Sequence, residues 1–319
     1  MTSVGSGLVT LGETMGLLGS RHVGPLRHAD GLTLGVGGAE SNVAIGVTRL
    51  GGRACWVGRV GDDPIGDLLV NRLAGEQVDV SCVVRDSGAP TSLMVKELRT
   101  PHVARVTYYR TNGPGARLQP EDIPHERVAA AQVLHITGIT PALSAGAGRT
   151  VLTAVEIARA AGVTVSVDVN YRSTLWSPDR ARPVLRDLVA RADIAFAGDD
   201  EADLLGLHGT PAEQAAGLAG LGPGQVVIKL GARGAVASLQ GRPAVIPART
   251  VVAVDPVGAG DAFVAGFLAD HLRGAPPEAA LRTAASCGAF VVQMPGDWEG
   301  LPTRAELALL DAAPGTVLR

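Results

Sequence analysis

Short runs of apolar residues alternate along the chain with segments in which apolar residues recur every three to four positions. The short runs predict buried strands, and the periodic segments predict amphipathic helices. Strands are predicted over 8–13, 55–61, 132–138, 163–170, 192–198 and 225–231. Helices are predicted over 41–51, 64–77, 148–162, 261–274 and 277–293. This alternation favours an α/β fold with a mostly parallel, doubly wound sheet and right-handed crossovers.

Two stretches interrupt the alternation. Residues 14–36 carry weak strand signals among glycines and histidines, and residues 90–112 predict two strands. We expect both stretches to form a small β lid inserted into the α/β body. Because no low-complexity linker or internal repeat marks a boundary, residues 1–319 are expected to form a single domain. Exposed lid edges favour pairing between protomers, so a homo-oligomer is expected.

Composition then excludes several classes of protein. Hydrophobic residues make up 46% of the chain and charged residues 18%, which excludes intrinsic disorder. The net charge of −3 argues against nucleic-acid binding. Three widely separated cysteines fit a reducing compartment, and the first residues lack the features of a signal peptide. Since no apolar run is long enough for a membrane span, a cytoplasmic protein is expected.

The segment with the clearest chemistry is 255–263, Asp-Pro-Val-Gly-Ala-Gly-Asp-Ala-Phe, which leads into the predicted helix over 261–274. Gly258 and Gly260 would let the backbone approach a ligand closely. The helix N-terminus would then offer N–H groups and the positive end of a dipole to a phosphate, with Asp261 in its first turn. The alternative is an ordinary strand-to-helix turn that Asp261 caps.

Other nucleotide and hydrolase motifs are missing. Neither lysine, Lys96 or Lys229, is followed by Ser or Thr, so the chain has no P-loop. No Gly-x-Gly-x-x-Gly joins a strand to a helix, which disfavours a nicotinamide enzyme. The chain also lacks a His-Glu-x-x-His zinc motif and a Gly-x-Ser-x-Gly nucleophile elbow.

Two further clusters carry polar side chains at positions suited to a ligand. Residues 37–42 lead from the lid into the helix that Ser41 is expected to cap, and Asn42 offers a donor and an acceptor to hydroxyl groups. A hinge with a helix cap would look the same. Asp168, Asn170 and Arg172 follow a buried strand, and ligands of parallel sheets bind outside the carboxyl ends of strands.

Together these segments resemble the PfkB (ribokinase-like) carbohydrate kinases. The resemblance rests on Gly-Gly-x-x-x-Asn over 37–42, the glycine-rich run over 58–66, Lys-x-Gly-x-x-Gly over 229–234 and the segment 255–261. It implies a three-layer α/β/α sandwich with a nine-stranded sheet and a β lid. It also implies ATP and Mg²⁺ as cofactors and a small sugar as the phosphoryl acceptor.

The resemblance also implies roles for individual residues. Asp261 would take the proton from the primary hydroxyl of the sugar, while the N–H groups of Ala259, Gly260 and Asp261 stabilise the transferred phosphoryl group after the Gly258 turn. The nucleotide would lie along a segment containing Lys229, Gly231 and Gly234. Glu201 would hold Mg²⁺ through water. Gly198 stands where many family members have Asn, which bears on this metal-water arrangement.

Within the family, the chain is most similar to the 2-keto-3-deoxygluconate kinases. The similarity rests on Tyr-Tyr-Arg over 108–110, on 136–144 and on Asp-Val-Asn-Tyr-Arg-Ser-Thr-Leu-Trp-Ser over 168–177. It implies that Tyr108 contacts the sugar and that Arg110 and Arg172 pair with its carboxylate, a task suited to the planar guanidinium. The remaining sugar-binding residues would be Gly38, Asn42 and Asn170.

Two alternatives stay open. The chain could be a kinase of fructose, ribose or a nucleoside, in which case Arg110 and Arg172 would lack a charged partner. It could also be a non-catalytic sugar-binding regulator on the same fold. Retention of Asp261 and of the Gly258–Gly260 turn argues against the regulator.

Overall fold

Thirteen strands form two sheets in the computed structural model, which describes residues 7–100, 103–312 and 317. In chain order they are β1 (Leu8–Leu11), β2 (Met15–Ser20), β3 (Leu32–Gly37), β4 (Ala54–Gly61), β5 (Val83–Asp86), β6 (Leu93–Thr100), β7 (Val103–Tyr109), β8 (Val133–Thr137), β9 (Thr164–Asp168), β10 (Ile194–Gly198), β11 (Gln225–Lys229), β12 (Ala235–Leu239) and β13 (Arg242–Ile246). The larger sheet has the order β13-β12-β11-β10-β9-β8-β1-β4-β5. Its strands pair in parallel from β5 to β11, and β12 and β13 add an antiparallel edge.

Helices cover both faces of this sheet. In chain order they are α1 (Ala39–Arg49), α2 (Pro64–Gly75), α3 (His125–Ala129), α4 (Thr140–Leu143), α5 (Ala145–Ala160), α6 (Pro178–Ala190), α7 (Asp199–Leu204), α8 (Pro211–Ala219), α9 (Ala259–Leu272) and α10 (Pro277–Val291). Residues of α1, α2, α9 and α10 pack into one apolar cluster, and those of α5, α6 and α8 pack into a second. The sheet therefore lies between two helical layers, which confirms the expected α/β/α sandwich.

The smaller sheet has the order β3-β2-β6-β7 and lies within or next to the two stretches that interrupt the sequence pattern. Its strand β2 pairs in parallel with β6, which brings the two stretches together. We refer to this four-stranded sheet as the lid. Within it, Met15, Leu17 and Met94 form a small apolar cluster. In the described residues the three cysteines carry free thiols, and no helix is long and apolar enough to cross a bilayer.

Several expectations about element boundaries are wrong. Ser41 does not cap α1, because the helix already begins at Ala39 and the Ser41 hydroxyl donates to the Gly38 carbonyl oxygen at 3.0 Å. The helix expected from 261 begins at Ala259, two residues earlier. The residues before the 255–263 segment, 251–254, form a loop in which Val252 is 82% exposed.

Candidate active site

Two cavities open at the carboxyl ends of the central strands and meet at one point. The first, of about 440 Å³, lies between the lid and the body. The second, of about 480 Å³, lies between the β11–β12 connection and the N-terminal end of α9. Lys229, Pro256 and Gly260 line both cavities. A group transferred from a ligand in one cavity to a ligand in the other would pass this junction.

The turn before α9 depends on Gly258. Its φ of 79° lies in the left-handed region, and a Cβ there would collide with the carbonyl oxygen of Asp297. A Cβ at Gly260, in contrast, would point towards Lys229 Nζ, 3.5 Å away at the junction. Gly258 therefore serves the backbone conformation, whereas Gly260 keeps the space above the first turn of α9 open to a ligand.

Asp261 lies in the first turn of α9 and faces the first cavity. Its Oδ2 accepts a hydrogen bond of 2.8 Å from Asn42 Nδ2 on α1. Burial raises the pKa of Asp261 to about 6, and nearby Asp168 acts in the same direction. The bond from Asn42 and the charges of Arg172 and Lys229 act in the opposite direction. A carboxylate with this pKa can accept a proton near neutral pH.

Lys229, at the end of β11, forms an ion pair with both carboxylate oxygens of Asp168, at the end of β9 on the far side of β10. Lys229 Nζ donates to Asp168 Oδ1 at 2.7 Å and to Oδ2 at 2.6 Å. Burial opposes the charge of the lysine, but Asp168 and Glu201 outweigh it and raise the pKa of Lys229. The junction between the cavities therefore carries a permanent ammonium group.

Glu201 is held by backbone N–H groups on two sides. Its Oε1 accepts from Tyr171 N and its Oε2 accepts from Gly198 N, both at 2.7 Å. Burial raises the pKa of Glu201, while Lys229 acts to lower it. Across the described ranges, no group of three or more His, Cys, Asp or Glu side chains could hold a metal ion. A divalent cation bound here would therefore take most of its ligands from phosphate and water.

The lid contributes Tyr108 and Arg110 to the wall of the first cavity. The Arg110 guanidinium lies over the Tyr108 ring, 5.0 Å from its centroid. Arg110 Nη1 is 3.3 Å from Glu13 Oε2, so this arginine has a charged partner even without a ligand. The expectation that Arg110 would lack such a partner beside a neutral sugar is therefore wrong. Arg110 Nη2, however, is buried with no hydrogen-bond partner in the described part of the chain.

Arg172 and Asn170 approach the same cavity from the body. Asn170 has a φ of 40°, an uncommon conformation for a residue other than glycine. Arg172 is exposed and donates from Nη1 to the Tyr171 carbonyl oxygen at 3.1 Å. Among residues 7–100 and 103–312, no carboxylate forms an ion pair with Arg172. The two arginines thus reach one cavity from separate elements.

The second cavity is lined mainly by apolar and small side chains. Its wall includes Gly231, Gly234 and Ala259 together with Ala285 and Gly288. Gly234 has a φ of 93°, and a Cβ there would collide with the carbonyl oxygen of Ile246. This glycine therefore lets β12 begin close to the end of β13.

Every residue to which the sequence analysis assigned a catalytic, sugar-binding, nucleotide-binding or metal-binding role lines one of the two cavities, whereas the further candidate Asp168 is buried and lines neither. The first cavity contains Gly38, Asn42, Tyr108, Arg110, Asn170, Arg172, Glu201, Gly258 and Asp261. The second contains Gly231, Gly234 and Ala259, and Lys229 and Gly260 line both. The structure therefore brings them together, although they derive from segments spread over most of the chain.

Several buried charged groups beside these residues were not among the site residues assigned from the sequence. Glu13 accepts from Ser92 Oγ at 2.9 Å, and Glu40 accepts from Thr137 and Thr140 at 2.7 Å each. Burial raises the pKa of both carboxyl groups. Asp297 lines the first cavity, and the buried Lys96 contacts it from behind the cavity wall at 3.5 Å. The one available signal was that Lys96 is one of two lysines in the chain.

Comparison with known proteins places this arrangement in a family. The model of the pfkB family of carbohydrate kinases matches residues 6–304. The chain belongs to this family. A 2-dehydro-3-deoxygluconokinase of Bacillus subtilis is 38% identical over 97% of this chain and 96% of its own length. A fructokinase of Klebsiella pneumoniae is 40% identical over 85% of this chain and 90% of its own length.

The fold of this carbohydrate kinase also matches solved structures. A proposed ribokinase II from E. coli, in complex with ATP and Mg²⁺, aligns with a TM-score of 0.88 and 26% identity. The alignment covers 96% of this chain and 99% of the other. The expectation of a ribokinase-like carbohydrate kinase is thus confirmed.

Proposed function

We propose that this pfkB family kinase transfers the γ-phosphoryl group of ATP to the primary hydroxyl of 2-keto-3-deoxygluconate. The sugar occupies the first cavity, between the lid and the body. ATP occupies the second cavity, with its phosphates at the junction lined by Lys229 and Gly260. The B. subtilis relative supports this substrate, because it is named 2-dehydro-3-deoxygluconokinase and its 38% identity extends over 97% of this chain.

The observation that carries the acid-sugar proposal is the pair of arginines in the first cavity. Arg110 Nη2 is buried without a hydrogen-bond partner in the described chain, and such a group costs free energy until a ligand satisfies it. Glu13 neutralises one guanidinium charge, and Arg172 has no carboxylate partner in the described residues. A sugar carboxylate supplies a charged acceptor for both arginines, whereas a neutral sugar supplies only uncharged hydroxyl and carbonyl oxygens.

Asp261 is the base in the proposed reaction. It takes the proton of the primary hydroxyl as the oxygen attacks phosphorus, and Asn42 holds the carboxylate in place. The N–H groups at the start of α9 and the ammonium of Lys229 stabilise negative charge on the transferred group. The lid excludes water, which would otherwise compete with the sugar as acceptor.

Mg²⁺ fits the site as an ion held mainly by ATP phosphates and water. Glu201 is the residue that would hold its water, and its carboxylate is fixed by two backbone N–H groups. When bound, such an ion neutralises phosphate charge and so favours attack by the sugar oxygen. Gly198, which lines the same cavity, has no side chain that could share this task.

A kinase of neutral sugars is the second candidate, and the K. pneumoniae fructokinase favours it with 40% identity. ADP release measured with 2-keto-3-deoxygluconate, fructose, ribose and a nucleoside separates the candidates. We expect the highest kcat/KM with the acid sugar. A higher value with fructose or ribose would reject the acid-sugar substrate and leave the kinase assignment intact.

We also infer that the protein is a homo-oligomer that pairs through the lid. Leu34, Val103 and Tyr109 of the lid are 46%, 56% and 63% exposed. Both β3 and β7 are edge strands whose outer backbone groups can pair with another protomer. Light scattering tests this inference, since a monomeric mass at micromolar concentration would contradict it.

A further inference from the structure

Lys96 forms a buried ionic contact between the lid and the body. It lies on lid strand β6, and its Nζ donates to Asp255 Oδ2 at 2.5 Å and to Asp297 Oδ1 at 3.5 Å. The three side chains are 6%, 3% and 8% exposed. A charge buried this deeply is stable only when oppositely charged groups surround it.

Both carboxylates that contact Lys96 belong to segments that shape the phosphate-binding turn. Asp255 Oδ1 accepts from Val257 N at 3.2 Å, within the turn itself. Asp255 Oδ2 accepts from Gly296 N at 3.1 Å, which links the turn to the loop containing Asp297. The carbonyl oxygen of Asp297 packs against Gly258, where it leaves no room for a Cβ. The position of Gly258 therefore depends on this network.

Without the ammonium group, the network would place two buried carboxylates next to each other. Like charges in such a site repel or take up a proton, and either change alters the hydrogen bonds that hold the turn. Burial already raises the pKa of Asp297 to about 7, and Lys96 acts to lower it. The cation that opposes this rise at Asp297 is carried by the lid rather than by the body.

We propose that Lys96 is a positioning residue for phosphoryl transfer, because its ammonium group holds the Asp255 and Asp297 segments so that the N–H groups at the start of α9 face the transferred phosphoryl group. Lys96 does not line the junction of the two cavities, so it acts through the turn. The proposal concerns phosphoryl transfer and is independent of which sugar the enzyme accepts.

A positioning role predicts a specific kinetic effect. Interactions realised mainly in the transition state change kcat, whereas loss of ground-state binding changes KM. In Lys96→Ala we expect kcat to fall by about 30-fold or more, with KM for ATP and for the sugar changed less than about threefold. The assay uses the full-length enzyme and whichever sugar gives the wild type its highest kcat/KM.

Chemical rescue separates positioning from general destabilisation. The part of the side chain that Lys96→Ala removes corresponds to propylammonium, and a cavity of about 280 Å³ borders Lys96 and Asp255 and gives a small cation access. We expect propylammonium to raise kcat of the variant at least about fivefold with saturation, while tetramethylammonium at equal ionic strength does not. The matched control is Arg105→Met, which removes an exposed lid cation 3.9 Å from Glu97 and should respond to neither.

Two outcomes would overturn the proposal: a folded Lys96→Ala enzyme with kcat within threefold of the wild type, or a folded, impaired variant that propylammonium does not rescue. If Lys96→Ala does not fold, the proposal is tested in the double variant Lys96→Met/Asp255→Asn. This variant removes the ammonium group together with one of the two carboxylates that it neutralises, so no additional charge is left unpaired. In the folded double variant we expect kcat at least about tenfold below the wild type. A kcat within threefold of the wild type there also overturns the proposal.

Discussion

The two ends of the first cavity are built in different ways. The phosphate end comes from one continuous segment, 255–261, and presents backbone N–H groups at a helix start. The sugar end is assembled from side chains on several elements, among them Glu13 after β1, Arg110 after β7 and Arg172 after β9. A backbone-built end tolerates few changes, because its geometry depends on glycines. A side-chain-built end can change its ligand without altering the chemistry of transfer.

The largest effect is expected from Gly260→Val, which tests whether the backbone at the phosphate end must stay uncovered. A valine side chain would enter the junction beside Lys229, whose Nζ is 3.5 Å from the Cβ position. We expect a folded protein with no measurable ADP release. Gly224→Val is the control, because a Cβ there has open space around it. Sugar-dependent turnover by Gly260→Val would contradict the proposed phosphate site.

A smaller but still large effect is expected from Asp261→Asn. The amide keeps the size of the side chain but cannot take up the proton of the sugar hydroxyl. We expect kcat to fall by about 10²–10⁴-fold, with sugar binding largely retained. Single-turnover kinetics and equilibrium binding of the sugar give the two quantities. Near-normal turnover would mean that another group is the base.

At the sugar end, Arg172→Leu should separate acid from neutral substrates. Loss of a charge-assisted bond of about 1.5–3 kcal/mol raises KM for 2-keto-3-deoxygluconate roughly 10–150-fold. Activity on fructose, however low, should fall much less, because fructose has no carboxylate. The ratio of the two kcat/KM values, before and after substitution, is the measurement. An equal loss for both sugars would make Arg172 structural.

The smallest change is expected in the pH profile. Asp261 has a pKa of about 6 and acts as a base only when it is deprotonated. At saturating ATP, kcat/KM for the sugar should therefore fall about tenfold per pH unit below about pH 6 and level off above it. Asp297, with a pKa of about 7, is a second group that could titrate, so Asp297→Asn is the control. In that variant the decrease near pH 6 should persist.

Prediction from the sequence worked best where structure depends on local pattern. The buried strands of the parallel sheet are short apolar runs, and they appear within a few residues of their predicted ends. Strand β13 begins with Arg242 and contains Pro243, so it lacks the run of apolar residues by which a strand is recognised in a sequence. Proline is tolerated there because β13 is an edge strand. The buried residues of helix α6 recur at helical spacing from Ala181 to Val189, but Pro183 inside the helix is a residue that normally argues against one.

In the candidate site, too, residues within one motif could be predicted from the sequence, whereas contacts between distant segments could not. Gly258, Gly260 and Asp261 lie close together in one motif, so a local pattern is enough to single them out as either a phosphate turn or an ordinary turn before a helix. The contact of Lys96 with Asp255 joins residues 159 positions apart, and no local pattern encodes such a pairing. The pairing of Glu13 with Arg110 likewise depends on how the lid folds over the body. Tertiary packing decides these contacts, and a single sequence does not display them.

The loop that carries Arg172 is already fixed before a sugar arrives. Glu201 binds the Tyr171 N–H at 2.7 Å, and the Tyr171 hydroxyl donates to the Trp176 carbonyl oxygen at 2.9 Å, which closes the loop on itself. When a ligand must order a mobile loop, the entropy that the loop loses reduces the affinity of the ligand. Here the loop is ordered during folding, so binding of the sugar does not carry that cost. Most of the attraction between the Arg172 guanidinium and a sugar carboxylate can therefore appear as binding affinity. The same rigidity makes Glu201, which contacts the loop from the phosphate side, a determinant of how tightly the sugar is held.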